Sequence, residues 1–424
     1  MSNHASRKVS ESPTQSGFYR WYALAVLTAI FSVHYVDRSV LSVVIEPIKH
    51  EFALSDTAMG LLAGLAHSAA LSVMALPMGW LADRTNRVRL VSFVVMIWSG
   101  LTAMGAVANS YAALLLMRVG VGAAEAGGPP ASVSIISSLF ARKELPTAMG
   151  LYYLAMALGT GAIFLVGGWV AEHYGWRAVF LVAGVPGVLL GLLLLLTVRE
   201  PPRSDAGVHE KPPGVMETAR TIARNRPALL IMVAGAAAAT AQSAAWTWLA
   251  SFLIRLHSVS LAEAGLIVGL AAALGKGFGS AIAGPSTRWL SGDRPGDLWR
   301  FPAFALILTF PVGWFMVTVP GTTMAIALVM MLSVLMGCWS GQVVAILMTA
   351  SPTRVQGSSM SLYSLASNLI GAGLGPLFAG LLSDFLGGNR AVGQAIGWSM
   401  AFNLVAALFF FLACRSLGAR EAQC

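Results

Sequence analysis

Twelve apolar segments follow one another along the chain, and they set the strongest constraint on its fold. A helix needs about 20 apolar residues to cross the hydrocarbon core of a bilayer. The chain has only 11% charged residues, whereas soluble domains average about 25%. The sequence therefore predicts an all-α integral membrane protein with twelve transmembrane helices. The segments lie at 21–45, 57–81, 89–108, 111–139, 146–171, 177–197, 228–254, 262–285, 300–319, 322–349, 357–384 and 392–414.

The positions of the basic residues explain the net charge of +9 without a nucleic-acid partner. With both termini on one side of the membrane, that side receives 20 of the lysines and arginines. The opposite side receives 4, namely Lys49, Arg177, Arg255 and Arg390. Lysine and arginine accumulate in cytoplasmic loops. We therefore predict a multi-pass protein of the cell (inner) membrane, with both termini in the cytoplasm.

An internal repeat divides the chain into two halves. Gly159, Gly161, Gly168, Glu172 and Gly175 recur 212 residues later as Gly371, Gly373, Gly380, Asp384 and Gly387. Parallel repeats of this kind occur in transporters, in which the substrate lies near the midplane between the halves. The sequence predicts a tail over 1–20, a six-helix bundle over 21–198, a linker over 199–226, a second bundle over 227–414 and a tail over 415–424.

Charged side chains in two apolar segments mark the predicted functional centre. Asp37 and Arg38 are adjacent in the first segment, and Arg118 and Glu125 share one helix face in the fourth. A charge at mid-membrane costs about 2.5–3.5 kcal/mol on insertion scales, so these groups need partners or a wet cavity. Asp37 and Glu125 are candidates to carry a proton, with His34 one turn away; a static ion-pair network is the alternative. Arg38 and Arg118 are candidates to bind an anionic head group.

The C-terminal half offers further candidates for substrate contact. Lys276 is a rare cation within the eighth segment, flanked by glycines. Gln242 and Trp246 in the seventh segment and Asn368 in the eleventh add polar atoms. For Gln242, Trp246 and Asn368, helix packing or an interhelical hydrogen bond is the simpler interpretation. Lys276 is expected to face the cavity, and snorkelling to an interface is its alternative.

The loop between the second and third segments resembles the signature of the major facilitator superfamily. Gly79, Asp83, Arg84 and Arg87 match the family pattern, and Arg89 stands one place beyond its usual second arginine. The resemblance implies a fold of twelve transmembrane helices in two six-helix bundles. It also implies a conformational lock, in which the acid faces the positive end of a helix in the other half. A purely topogenic role for the arginines is the alternative.

The first 205 residues or so resemble the Spinster branch of that superfamily more closely. The resemblance rests on Tyr35–Arg38, Gly79–Arg84, Arg118–Gly127, Gly175–Arg177 and Arg199–Arg203. It implies proton-coupled movement of an amphipathic anion, of lysophospholipid or sphingoid-phosphate type, by alternating access and as efflux. Proton-coupled symport of a small polar organic anion stays open, because such symporters also carry an Asp-Arg pair in the first helix.

Other classes of function are less well supported by the sequence. A membrane-embedded lipid-modifying enzyme also uses acid and histidine clusters, but the duplication argues against it. The expected partners are the anionic substrate and the bilayer, and the chain is expected to act as a monomer. No cofactor or metal is predicted, and the coupling ion is a proton.

Overall fold

The computed structural model describes residues 17–202, 215–291 and 297–421, and within these ranges it contains helices and no strand. Eleven of its helical segments are long and apolar enough to cross a membrane. A twelfth is divided into two shorter helices. The N-terminal bundle contains α1 (Gly17–Glu51), α2 (Asp56–Arg84), α3 (Arg87–Val107), α4 (Tyr111–Glu125 and Gly128–Leu139), α5 (Leu145–Tyr174) and α6 (Trp176–Thr197).

The C-terminal bundle repeats this arrangement after a short linker helix. The linker helix, Val215–Arg224, is amphipathic and buries Ile222. The rest of the predicted linker, over 203–214, and the tail ends at 1–16 and 422–424 lie outside the described residues. The second bundle contains α7 (Arg226–His257), α8 (Leu261–Leu290), α9 (Arg300–Thr318), α10 (Thr322–Ala350), α11 (Gln356–Leu386) and α12 (Ala391–Gly418).

Local sequence signals explain where several helices begin and end. Ser55 caps α2 by accepting a hydrogen bond from the Ala58 backbone, and Ser260 caps α8 in a capping box with Glu263. Gly175 ends α5 with φ +80°, and its repeat partner Gly387 ends α11 with φ +66°. Left-handed backbone of this kind favours glycine. The last glycine pair of the repeat therefore ends a helix in each half.

Irregular turns interrupt four of the membrane-spanning helices in the described part of the chain. The α4 helix breaks after Glu125, and its second part begins at Gly128 with Pro129 in the first turn. Segments of π-helix occur within α2 at Leu61–Leu65, within α8 at Ala271–Gly275 and within α11 at Ser367–Leu374. Turns of this type are frequent at functional sites.

The two bundles meet along α2 with α11 and along α5 with α8. We call the side on which α1 begins and α12 ends the tail side, and the opposite side the far side. On the far side, glycines bring the helix backbones close together. A Cβ atom on Gly380 would lie 2.4 Å from the Asp56 carbonyl oxygen, and one on Gly168 would lie 2.9 Å from the Leu261 carbonyl oxygen. Glycine at these positions therefore allows the bundles to close.

The acids of the internal repeat bind helix starts across this far-side contact. Asp384 accepts hydrogen bonds from the backbone N–H groups of Asp56 (3.0 Å) and Thr57 (2.7 Å) at the start of α2. Glu172 accepts one from the backbone N–H of Ala262 (2.7 Å) at the start of α8. Each acid thus satisfies orphan donors of a helix in the other bundle and meets the positive end of its dipole.

An ion-pair network adds to the far-side contact near α2. Arg255 at the end of α7 donates to both carboxylate oxygens of Asp56 (2.7 and 2.8 Å) and to Glu46 on α1 (2.9 Å). Lys49 and the Ser383 hydroxyl also bind Asp56. The network therefore joins the ends of α1, α2, α7 and α11.

The bundles make their principal mutual contacts in the far-side half of the molecule. On the tail side, α2 presents large apolar side chains that are exposed, including Val73, Leu76 and Trp80. The space between the bundles therefore opens toward the tail side.

Candidate functional site

The predicted charged residues of α1 and α4 meet inside the N-terminal bundle. Arg118 Nη1 donates a hydrogen bond of 3.0 Å to the backbone carbonyl of Asp37. The side chains of Asp37, Arg118 and Glu125 are buried. The Asp37 carboxylate makes no hydrogen bond within the described residues, and its polar neighbours on α3 are Trp98 and Thr102. The sequence-predicted acids and Arg118 therefore share one buried cluster.

Glu125 lies between two histidines. His34 Nδ1 on α1 and His67 Nε2 on α2 each lie 3.2 Å from the same carboxylate oxygen, Oε2. Both imidazole rings are buried. The spacing of His34 to Asp37 makes it a candidate from sequence, whereas His67 is not predicted, because no other ionisable residue lies near it in its segment. Only the packing of α2 on α4 brings it to the site.

Arg38 points away from this cluster, although it follows Asp37 directly. Successive residues of an α-helix project about 100° apart, so the two side chains cannot occupy the same direction. Arg38 Nη2 donates a hydrogen bond of 2.7 Å to Asn368 Oδ1 on α11. This bond crosses between the bundles and ends on the π-helical segment Ser367–Leu374. Arg38 and Asn368 are therefore brought together at the interface rather than inside one bundle.

The other predicted substrate contacts lie in the C-terminal bundle. Gln242 on α7 donates to the Met336 carbonyl of α10 (3.0 Å), which is an interhelical hydrogen bond within the bundle. The Trp246 indole N–H is buried without a hydrogen-bond partner in the described part of the chain. Lys276 lies on α8 directly after the π-helical segment, and its side chain lies outside the described residues.

The predicted lock residues lie at the tail end of α2 and the start of α3. Asp83 is exposed there, a Cβ on Gly79 would meet no atom within 4 Å, and the Arg84 guanidinium lies 4.2 Å from the Trp80 ring centroid. Arg87 is buried and donates to Glu200 (2.6 Å) and to the Pro201 carbonyl (2.8 Å) beyond α6. In this structure Arg87 therefore joins elements of one bundle.

Comparisons with known proteins place this geometry in a family. The family model of the Major Facilitator Superfamily matches residues 27–376. The chain belongs to this superfamily. The expected fold of twelve helices in two six-helix bundles is thereby confirmed, as is the expectation of a transporter rather than an enzyme. The resemblance to Spinster proteins is confirmed by the solved structure and relatives described next.

A bacterial homologue of the human lysosomal transporter Spinster, solved in an inward-facing and unoccupied conformation, superposes with a TM-score of 0.85. It is 28% identical and covers 95% of this chain and 98% of its own. A sphingosine-1-phosphate transporter, SPNS2 of Danio rerio, is 29% identical over 237 residues, which are 54% of this chain and 46% of that protein.

Further relatives are an efflux pump and a probable sugar-acid transporter. An MFS-type efflux pump of Mycolicibacterium smegmatis is 31% identical over 93% of this chain and 92% of its own length. A probable galactarate/D-glucarate transporter, GudP of Bacillus subtilis, is 26% identical over 62% of this chain and 64% of that protein. The substrates named for these superfamily members therefore include both a lipid phosphate and small polar organic acids.

Proposed function

We propose that the protein is a proton-coupled secondary active transporter that moves an amphipathic anionic lipid, of lysophospholipid or sphingoid-phosphate type, by alternating access and as efflux. The observation that carries this proposal is the paired arrangement on α1: a buried Asp37 in the acid cluster, and next to it Arg38 at the interface between the bundles. One helix thus connects a proton site to an anion site. The similarity to a sphingosine-1-phosphate transporter supports the substrate class, and the similarity to an efflux pump supports the direction.

The anionic head group binds Arg38 and Arg118 in this proposal. Arg38 is hydrogen bonded to the neutral amide of Asn368, and a phosphate makes a stronger, charge-assisted bond to a guanidinium than an amide does. A substrate between the bundles therefore displaces Asn368 and contacts both halves. Gln242, Trp246 and Lys276 of the C-terminal bundle complete the proposed substrate site.

The proton binds Asp37 or Glu125, with His34 as relay. A buried carboxylate without a hydrogen-bonded cation is costly, and protonation removes that cost. Arg118 is hydrogen bonded to the Asp37 backbone rather than to its carboxylate. A conformational change that pairs this carboxylate with an arginine releases the proton, which couples the proton gradient to alternating access.

The conformation and its lock follow from the proposed topology. With the tail side in the cytoplasm of a cell (inner) membrane, the structure is inward-facing, because the bundles are closed on the far side. Asp83 and its arginines then act in the outward-facing state, in which we propose that the acid meets a helix start of the other bundle. We propose residues 21–198 and 227–414 as the two bundles of a monomeric transporter.

A substitution at Asp83 tests the lock. D83N is expected to reduce the outward-facing population in spin-label distance measurements; an unchanged population contradicts the lock.

Ligand binding to the purified protein tests the substrate class. We expect anionic lysolipids to raise the melting temperature of the wild type and of R142A, an exposed-loop control, but not of R38A. Stabilisation by galactarate-type acids and not by lysolipids contradicts the lipid proposal and favours the alternative, a proton-coupled symporter of small polar organic anions. The similarity to a galactarate/D-glucarate transporter is the observation that supports this alternative.

Flux into sealed vesicles tests the coupling. D37N is expected to abolish proton-driven transport of a lysolipid while binding remains. If proton-driven flux persists in D37N, Glu125 is the residue that carries the proton. If flux in the wild type does not depend on the pH gradient, proton coupling is contradicted.

A further inference from the structure

We propose that His67 is a second histidine of the proton-coupling site and that it transmits proton binding at the Glu125–histidine cluster to the α2–α11 contact between the bundles. This inference rests on the proposed proton coupling and adds a residue to it. It assigns His67 as a positioning residue, because it acts through Glu125 and not on the substrate.

The first observation is the geometry at Glu125. The carboxylate oxygen Oε2 lies 3.2 Å from His67 Nε2 and 3.2 Å from His34 Nδ1. The three side chains are at most 6% exposed. A histidine used only for packing has no need of this shared oxygen. Three ionisable side chains therefore lie around one carboxylate oxygen.

The hydrogen positions follow from the chemistry of imidazole. A neutral ring has one N–H, and the carboxylate oxygen only accepts. For both rings to donate to Oε2, His34 carries its hydrogen on Nδ1 and His67 on Nε2. The basic atom of His67 is then Nδ1; both ring nitrogens of His67 are buried, and neither makes an aligned hydrogen bond within the described residues, although Nε2 lies 3.2 Å from Oε2. A proton arriving there makes an imidazolium beside Glu125, or passes through the ring so that Nε2–H moves to the carboxylate.

The second observation is the position of His67 on α2. It lies one turn after Gly64 and directly before Ser68, and both of these face α11. A Cβ on Gly64 would lie 2.6 Å from the Gly373 carbonyl oxygen, and one on Gly373 would lie 3.3 Å from Ser68 Cβ. The π-helical segment Leu61–Leu65 ends two residues before His67. The same turn of α2 therefore bears the histidine and contacts the other bundle.

The third observation is the packing of α2 against α4. A Cβ on Gly122 would lie 2.3 Å from the His67 carbonyl oxygen, so the backbones are in close contact there. Glu125 lies almost one turn further along α4. His67 and Glu125 cannot separate unless α2 moves relative to α4. A change in the attraction between these two side chains therefore shifts α2 as a rigid helix.

The charges that act on His67 are those of Glu125 and Arg118 on α4 and of Arg38, whose side chain is directed toward α11; Asp37 and His34 on α1 interact with Glu125 in turn. With both histidines neutral, two arginines balance two carboxylates. One added proton makes the cluster net positive and strengthens the hold of Glu125 on the protonated ring. It therefore tightens the contact between α2 and α4 while the charges of α1 stay in place.

The test measures bundle opening against pH. Nitroxide labels at A141C and G357C, two exposed tail-side positions, report the distance between the bundles. Wild type, H67Q and the control H173Q, whose histidine lies on α5 with Nδ1 2.9 Å from the Trp169 carbonyl, are titrated in liposomes. The measured quantity is the pH midpoint of the change in label distance. We expect this midpoint to lie about one pH unit lower in H67Q than in the wild type, because one proton-binding group is lost. The control is expected to match the wild type.

The outcomes separate this inference from the proposed function. A pH-dependent wild type with an unmoved midpoint in H67Q overturns the role of His67 and leaves proton coupling intact. If the label distances of the wild type do not change with pH, both proton coupling and the role of His67 are overturned. H67N takes the place of H67Q if the latter fails to fold, as judged by its melting temperature.

Discussion

The two far-side contacts between the bundles are related by the internal repeat, yet they differ in strength. At one, Asp384 accepts two backbone hydrogen bonds at the start of α2 and a third, of 2.6 Å, from the Thr57 hydroxyl. At the other, Glu172 accepts one backbone hydrogen bond at the start of α8. Duplication therefore preserved the acid and the helix start that it caps, but the start of α2 offers its acid more backbone donors than the start of α8 does.

The ion-pair network sharpens this difference. Asp56, at the start of α2, binds Arg255, Lys49 and Ser383, and its side chain is only 4% exposed. Residues at the start of α8 make no such network within the described part of the chain; Glu263 serves the local capping box. We infer that closure on the far side is stabilised mainly at α2–α11, whereas α5–α8 acts more as a packed hinge.

Loss of Arg255 should have the largest effect. R255A leaves Asp56 without its arginine and removes the bond between α7 and Glu46, so the far-side-closed state should lose about 2–3 kcal/mol relative to the open state. Spin labels at H50C and N389C should report a longer distance. R390A removes an exposed far-side arginine and is the matched control. Equal distances in R255A and R390A would show that the network does not hold the bundles together.

Crowding the backbone contact should have the next largest effect. In G380A the new methyl would lie 2.4 Å from a backbone oxygen of α2, which cannot move aside as a side chain can. The closed state should lose about 1–3 kcal/mol, the usual cost of overpacking. G168A meets its backbone oxygen at 2.9 Å and should cost less. The same label pair measures both variants, and a larger opening in G168A would reverse the comparison.

Removal of the charge at Asp384 should have a moderate effect. D384N keeps one acceptor oxygen but loses the charge that faces the α2 dipole. Because the side chain is exposed, solvent screens this attraction, and we expect a loss of about 1 kcal/mol from the closed state. The effect should shrink at high salt. If high salt leaves the change in label distance of D384N unchanged, that change arises from hydrogen-bond geometry and not from charge.

The repeat shows what the sequence could and could not predict. The spacing of 212 residues aligns Glu172 with Asp384 and predicts two bundles. It does not indicate that each acid caps a helix of the opposite bundle, because periodicity along the chain does not encode which helix ends meet. The sequence likewise places Arg118 and Glu125 on one helix face, but it does not predict the histidine pair at Glu125.

Helix geometry explains the remaining differences at the site. Asp37 and Arg38 are neighbours in sequence and are both predicted to act with α4, but the helical twist sends Arg38 to Asn368 on α11. Arg87 matches a family lock, yet its hydrogen bonds to Glu200 and Pro201 lie within one bundle in this structure. His67 is isolated among apolar residues, so only tertiary packing could reveal it.

Loss of the charge at Glu172 should have the smallest effect, and it tests the comparison most directly. E172Q retains an oxygen that can accept from the Ala262 N–H, and the carboxylate is exposed to solvent, which weakens its interaction with the α8 dipole. The close packing of Gly168 on α8 remains. We therefore expect the label distance in E172Q to change less than in D384N, and the double variant to show the sum of the two changes, because the two contacts share no residue. If E172Q opens the far side as much as D384N does, the additional donors at the start of α2 add nothing to closure, and the two repeat-related acids are equivalent.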